Sequence, residues 1–339
     1  MLKSKKKQNL IKLAAVAAAL VIAFLLSGSL NSYYMTIFNM TLIYFLCTAS
    51  MSLIFGMGGQ LSYCTVTFMG LGAFITAKAT TSFGLPPAIG MLLGVLISAV
   101  VAFVFSLVLV KMRGAFFTFG TLALVNIGGT VYQNFTPLTG GSEGTAGIPK
   151  LTLLGIRFDD LKSWFFLLVL ITLLVFALIQ RIRTSSLGRS LMAVRDDEVA
   201  AQTLGINVYR TKVIAFTISS ALAAFSGTLV ALHNGVVSPS LFTFSVQTKF
   251  IIMSMLGGIN STLGALLGTA LLQLLPEYLR FLQTYAMLVY GVGIVLLLVF
   301  MPTGIMGLLE ACYKKLRKRE KAKAAPADEK VGSKTGGEQ

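Results

Sequence analysis

The sequence predicts an all-α protein, a polytopic membrane bundle of about ten transmembrane helices. Three observations carry this. Of 339 residues, 55% are hydrophobic and only 12% charged, with a mean hydropathy of +0.82, whereas a soluble domain carries about a quarter charged residues. Apolar runs recur at lengths near the ~20 residues needed to cross hydrocarbon. The positive charge is also grouped: 22 of 28 Lys and Arg fall in four clusters, each bordering an apolar run. These are Lys3–Lys12, Lys111 with Arg113, Arg181–Lys212, and the tail after Tyr313. Such placement follows the positive-inside rule, so the net charge of +16 marks topology and not a nucleic-acid surface. The short alternating strands of a membrane barrel are not visible.

Taken in order, Lys3–Lys7, the apolar run Leu13–Leu26 and Ser27-Gly28-Ser29 have the layout of a cleavable signal. The competing reading, a retained helix from about Ile11, is preferred because a polytopic chain can insert through its first span. A second span runs from about Met35 to Phe55 and stops at Gly56-Met57-Gly58-Gly59-Gln60; the third follows at once, from Leu61 to Thr80. Its Ser62, Thr65, Thr67, Gly70 and Gly72 are the small and hydroxylated residues that let membrane helices approach closely. Pro86-Pro87 opens the fourth span, which exits at Lys111 and Arg113, proline being tolerated at a helix start. The fifth covers Ala115–Gln133. A turn-rich loop, 134–162, follows, and Trp164 is expected at the interface where the sixth span begins. That span ends at Arg181 and the seventh covers Lys212–Leu232. Beyond Pro239, Thr243–Leu256 and Gly264–Leu275 are short. Counting them as two spans places the basic tail on the same side as the other basic clusters, so charge parity favours ten. The last span is about Thr284–Met301. Residues 1–312 then form the membrane domain and 313–339 a basic, disordered cytoplasmic tail.

The chemistry is mostly absence. His233 is the sole histidine, which excludes imidazole metal sites and most catalytic triads. Cys47, Cys64 and Cys312 lack metal or disulfide spacing. Gly332-Ser333-Lys334-Thr335 lacks the glycine pair of a phosphate loop. No catalytic residue and no metal ligand is assigned. Nor does an acidic residue fall mid-span, whereas an ion-coupled carrier usually needs buried ionisable groups along its path. The energy for any transport must come from elsewhere.

That directs attention to 185–207, the one charge-dense segment between two apolar halves. Leu187, Leu191 and Val194 recur at helical spacing, predicting a helix over Leu187–Arg195. Asp196 or Asp197 is placed to cap a second short helix, Asp197–Leu204, and Gly205 to end it in the left-handed conformation. Ala200 and Ala201 keep that helix thin enough to lie in a groove on another protein.

These residues resemble the LivM-type permease of branched-chain amino acid ABC transporters. The resemblance runs from about Gly56 to Gly307. It is strongest at Leu187-Gly188-Arg189, Arg195-Asp196-Asp197-Glu198-Val199-Ala200-Ala201 and Leu204-Gly205-Ile206-Asn207. Ala223-Ala224-Phe225-Ser226-Gly227, Leu256-Gly257-Gly258, Arg113-Gly114-Ala115-Phe116-Phe117 and Leu138-Thr139-Gly140-Gly141-Ser142 extend it. After Gly58-Gly59-Gln60-Leu61-Ser62 the chain departs from the family with Tyr63-Cys64-Thr65.

The resemblance implies a type II ABC importer-like fold with both termini cytoplasmic in a bacterial or archaeal cell membrane. It also implies four partners: a second, LivH-like permease, two cytosolic ABC ATPases and an extracytoplasmic substrate-binding protein. ATP and magnesium would belong to the ATPases, this chain binding no cofactor and being no enzyme. Gly188–Gly205 would be the ATPase-coupling segment, with Leu187, Gly188, Arg189, Arg195, Asp196, Asp197, Glu198, Ala200, Ala201, Leu204, Gly205 and Ile206 as its residues. Thr139, Gly140, Gly141, Ser142 and Glu143 of the loop would help receive the binding protein. The substrate path is assigned to Gln60, Ser62, Thr65, Thr118, Thr121, Asn126 and Gln133, polar groups that equally serve as glue between helices. Urea, short amides or other amino acids remain alternative cargoes, and a stand-alone channel or secondary carrier the alternative class.

Overall fold

The computed structural model describes residues 31–112, 114–153, 156–279, 285–300 and 304–307. The first expected helix, Arg113, the boundaries of the last span at Thr284 and Met301, Cys312 and the basic tail lie outside these. The long helices are α1 (Ser32–Met51), α2 (Thr65–Thr81), α3 (Pro87–Leu109), α4 (Ala115–Asn134) and α5 (Leu161–Thr184). Two short helices, α6 (Ser186–Asp196) and α7 (Glu198–Thr203), precede α8 (Val208–Asn234), α9 (Phe244–Gly257), α10 (Thr262–Tyr278) and α11 (Ala286–Phe300). Among the described residues, five helical stretches are long and apolar enough to cross a membrane: Ser32–Met57, Pro87–Leu109, Ala115–Asn134, Leu161–Thr184 and Val208–Asn234.

Helix α8 is the centre of the bundle, packed between α2, α3 and α1. Its 27 residues are about 40 Å long at 1.5 Å per residue, enough to link two opposite ends of the molecule. The basal end carries α6 and α7. The apical end carries the loop after α4, where β1 (Thr145–Ala146) pairs antiparallel with β4 (Val236–Val237) just beyond α8, and β2 (Thr152–Leu153) pairs with β3 (Ile156–Arg157).

In hydrocarbon there is no hydrophobic drive between helices, so they associate by close packing and hydrogen bonds. The sequence supplies both. A Cβ built on Gly227 of α8 would lie 1.8 Å from the Met69 carbonyl oxygen of α2, and one on Gly72 would lie 2.4 Å from that of Ala224. The two backbones therefore touch, and only glycine fits. Helix α3 buries a stripe at every fourth residue, Gly90, Gly94, Ser98, Ala102 and Ser106, and turns Leu92, Leu96, Val100, Val104 and Val108 outward. That outward apolar face suits lipid. Hydroxyls bridge the centre: Ser219 donates to the Ser50 carbonyl at 2.7 Å and Ser226 to that of Ile43 at 2.8 Å.

Three expectations change. The second span does not stop at Phe55 but widens into a π-helix over Ser52–Met57, beginning two residues after the Ser50 carbonyl taken by Ser219. The third does not begin at Leu61: Leu61–Cys64 is non-helical, and α2 starts at Thr65. Trp164 is 2% exposed, set edge-on against His233 at 5.3 Å, and is not an interfacial anchor. Within α9, the basic Lys249 donates to Gln273 Oε1 of α10 at 3.1 Å.

Candidate functional site

The segment 185–207 folds as two short helices joined by a cap. The Ser185 hydroxyl accepts from the Gly188 N–H at 3.3 Å and starts α6. Of the two candidate caps for α7 the structure selects Asp197, whose Oδ1 accepts from Val199 and Ala200 N–H at 2.8 and 3.0 Å. Gly205 ends α7 at φ 81°, with the Ile206 N–H returning to the Ala201 carbonyl at 3.0 Å. A cap the sequence reading passed over, Asn207, starts α8 by accepting from the Arg210 N–H at 2.9 Å. An asparagine three residues before a helical N–H is an ordinary N-cap signal and was legible.

The buried face of α6 is Gly188, Leu191 and Val194, with Leu187 half-buried. Gly188 sits where the end of α5 turns back: a Cβ there would be 2.3 Å from the Ile182 carbonyl oxygen. Leu191 enters the main core, while Val194, Ala201 and Val208 form a small separate core with Ala193 and Ile206. Ala201 thus packs inward, not into a partner's groove, because the α7 face that closes over Val194 is the one it occupies. Ala200, Leu204, Gly205, Arg189, Asp196 and Asp197 stay exposed. Leu204 at 79% and Val199 at 70% are the apolar tips of that outward surface.

Two charged residues of the segment bind inward. Glu198 pairs with Lys212 of α8, whose side chain is 5% exposed. Arg195 Nη1 donates to the Gly56 carbonyl and to Asn260 Oδ1, both at 2.6 Å. Arg183, at the base of α5, donates to the Asn260 carbonyl at 2.5 Å. One residue of the α9–α10 turn is thereby held from two sides, and the end of α1 from one. The seat is shaped by glycine: Gly59 is at φ 66°, and a Cβ on it would be 2.5 Å from Arg195 Cγ. Sequence reasoning missed Gly56 and Asn260, since nothing local to either signals a partner more than 60 residues away.

The path candidates separate into two groups. Ser62, Thr65 and Thr121 are buried; Thr121 Oγ1 accepts from the Tyr63 N–H at 3.1 Å, and the Ser62 hydroxyl lies 3.2 Å from Cys64 Sγ. These serve packing. Gln60 and Thr118 are half-buried, and Asn126 and Gln133 exposed. Thr118, Asn126 and Gln133 lie on one broad side of α4 by helical spacing, and Thr118 donates to the carbonyl of Leu61 in the non-helical Leu61–Cys64 at 3.2 Å. Gln247 of α9, fully buried, ties that strand of chain down by accepting from the Val66 N–H at 2.8 Å and donating to the Ser62 carbonyl at 3.4 Å.

At the apical end, Thr139 is buried, donating to the Phe135 carbonyl at 2.9 Å and accepting from the Gly141 N–H at 3.1 Å. Gly140 and Gly141, at φ 77° and 75°, carry the turn, and Ser142 and Glu143 project exposed from a 3-10 turn over Gly141–Glu143. Among the described residues no group of His, Cys, Asp or Glu could hold a metal ion.

Comparison with known proteins gives one consistent answer. The family profile for the branched-chain amino acid transport system permease component matches residues 33–300. The high-affinity branched-chain amino acid transport system permease protein LivM of Salmonella typhimurium is 32% identical over 327 residues, covering 89% of this chain and 76% of the relative. LivM of Escherichia coli is 31% identical with the same coverage. The LivH permease of Salmonella typhimurium is 31% identical over 256 residues, covering 71% of this chain and 81% of the relative. No solved structure matches.

Proposed function

The chain belongs to the branched-chain amino acid transport system permease family, a multi-pass membrane protein, and from that we propose that it is one permease subunit of an ATP-driven ABC importer. It translocates branched-chain or related hydrophobic amino acids delivered by an extracytoplasmic binding protein. It works beside a second, LivH-like permease and two cytosolic ATPases that hold ATP and magnesium. The basal end is the cytoplasmic one, both termini lie on that side, and ten helices cross the membrane in a type II importer arrangement. Residues 1–312 form the permease domain and 313–339 a cytoplasmic tail.

The observation that carries this reading is the joint at Arg195. Outward, α6 and α7 offer an ATPase the exposed Arg189, Asp196, Val199, Ala200 and Leu204. Inward, the same short element grips Gly56 and Asn260, the basal ends of α1, α9 and α10. Motion imposed on the segment reaches three helices through one side chain. Gln60, Thr118, Asn126 and Gln133 line this chain's half of the path, and Ser142 and Glu143 face the binding protein.

ATP-dependent leucine uptake by proteoliposomes holding the whole complex tests the reading. Uptake requires the ATPases and the binding protein, and deletion of Gly188–Asn207 abolishes it. Passive leucine flux through this chain alone would sink it.

A further inference from the structure

Two aromatic rings stand apart from the rest of the aromatic packing. Tyr63 and Phe244 lie with centroids 5.9 Å apart and planes only 20° from parallel, whereas most ring pairs in the core meet edge to face. Phe244 is 43% exposed and Tyr63 half-buried, so part of the stack is open to whatever lies outside the chain. Among the described residues the Tyr63 hydroxyl makes no hydrogen bond. A phenol in hydrocarbon ordinarily finds a partner.

The pair lies above the basal end of the bundle. The Tyr63 N–H is fixed to Thr121, six residues and about 9 Å along α4 from its basal start. Both rings sit where the chain leaves helical geometry, Tyr63 in Leu61–Cys64 and Phe244 at the first position of α9 after the extended Thr243. Gln247, one turn further along α9, binds both Val66 and Ser62. That single buried amide locks the two segments in register and so holds the rings together. Thr118 of α4 donates to the Leu61 carbonyl, two residues before Tyr63. The stack is therefore a preorganised apolar face with one free hydroxyl, partly open at the edge of the bundle.

We infer that the Tyr63–Phe244 stack is the contact for the apolar side chain of the transported amino acid, with the Tyr63 hydroxyl available to its polar end. This rests on the importer reading and names the part of the path that discriminates cargo. An aromatic face takes branched aliphatic groups by dispersion and desolvation and gives little to a short polar amide.

The test uses the complete complex in proteoliposomes, with L-leucine as the probe. The double variant Tyr63→Ala/Phe244→Ala is expected to lose leucine uptake by about tenfold. Partner co-purification and binding-protein-stimulated ATP hydrolysis are expected to persist. As single variants, Phe244→Tyr, which keeps the stack, retains leucine uptake within twofold of the parent, whereas Phe244→Leu, which fills the space without a ring face, lowers it threefold or more. Leucine uptake within twofold of the parent in the double variant, or in Phe244→Leu should the double variant fail to assemble, overturns the inference alone. A parent complex that carries no leucine overturns the importer reading and the inference with it.

Discussion

Replacing Arg195 with methionine keeps the aliphatic stem that packs on Gly59 and removes the guanidinium that binds Gly56 and Asn260. A hydrogen bond to a charged donor contributes about 1.5–3 kcal/mol. The Arg195 side chain is 36% exposed, so each of the two bonds belongs at the low end, and together they contribute about 3 kcal/mol. That corresponds to a factor of roughly 100 in the equilibrium between a clamped and a released joint. Its surface pair with Asp196 at 3.6 Å adds little, exposed ion pairs contributing about 0–1 kcal/mol. The assay is the number of ATP molecules hydrolysed per leucine delivered by the reconstituted complex. Arg195→Met is expected to lower uptake at least tenfold while ATP hydrolysis continues, so the ratio rises. Asn260→Ala, which removes one bond, has a smaller effect in the same direction, and the double variant is less than additive because both act at one joint. Unchanged uptake and an unchanged ratio in Arg195→Met would refute the transmission argument.

Three further outcomes follow from the packing. Gly227→Ala places a methyl inside van der Waals contact with the Met69 carbonyl, where backbone cannot yield, so it destabilises by about 3 kcal/mol, read as a lower melting temperature of the purified complex in detergent. Glu198→Ala strands the buried Lys212 ammonium and is expected to destabilise by about 2 kcal/mol, below the usual range for a broken buried pair since Glu198 is partly exposed; Lys212→Met in the same chain restores most of the melting temperature. Glu143→Lys reverses an exposed charge on the apical turn and reduces binding-protein stimulation of ATP hydrolysis by several-fold at low salt, an effect that fades as ionic strength rises.

Local signals were enough for local features. Asp197 and Gly205 were readable as cap and stop because each acts through bonds to residues within four positions. The apolar spacing of Leu191 and Val194 showed which side of α6 turns inward. Path residues were less legible, because a hydroxyl in a membrane helix has the same appearance whether it faces a channel or bonds a neighbouring carbonyl. Thr121 is fully buried holding Tyr63, and Asn126, five residues away on the same helix, is exposed.

Composition and charge grouping by themselves determined a helical membrane bundle, because the price of an unsatisfied peptide in hydrocarbon leaves few alternatives. The sequence likewise determined that 185–207 is a separate polar element with two short helices, and its motifs pointed to the permease family. Only tertiary structure decided what that element holds. Gly56, Arg183, Arg195 and Asn260 are drawn from four segments of the chain and meet because α1, α5, α6 and the α9–α10 turn all end at one level of the bundle. Long-range meetings of this kind depend on where helices cross, and crossings are set by backbone contacts such as Gly227 on Met69 that no local pattern encodes.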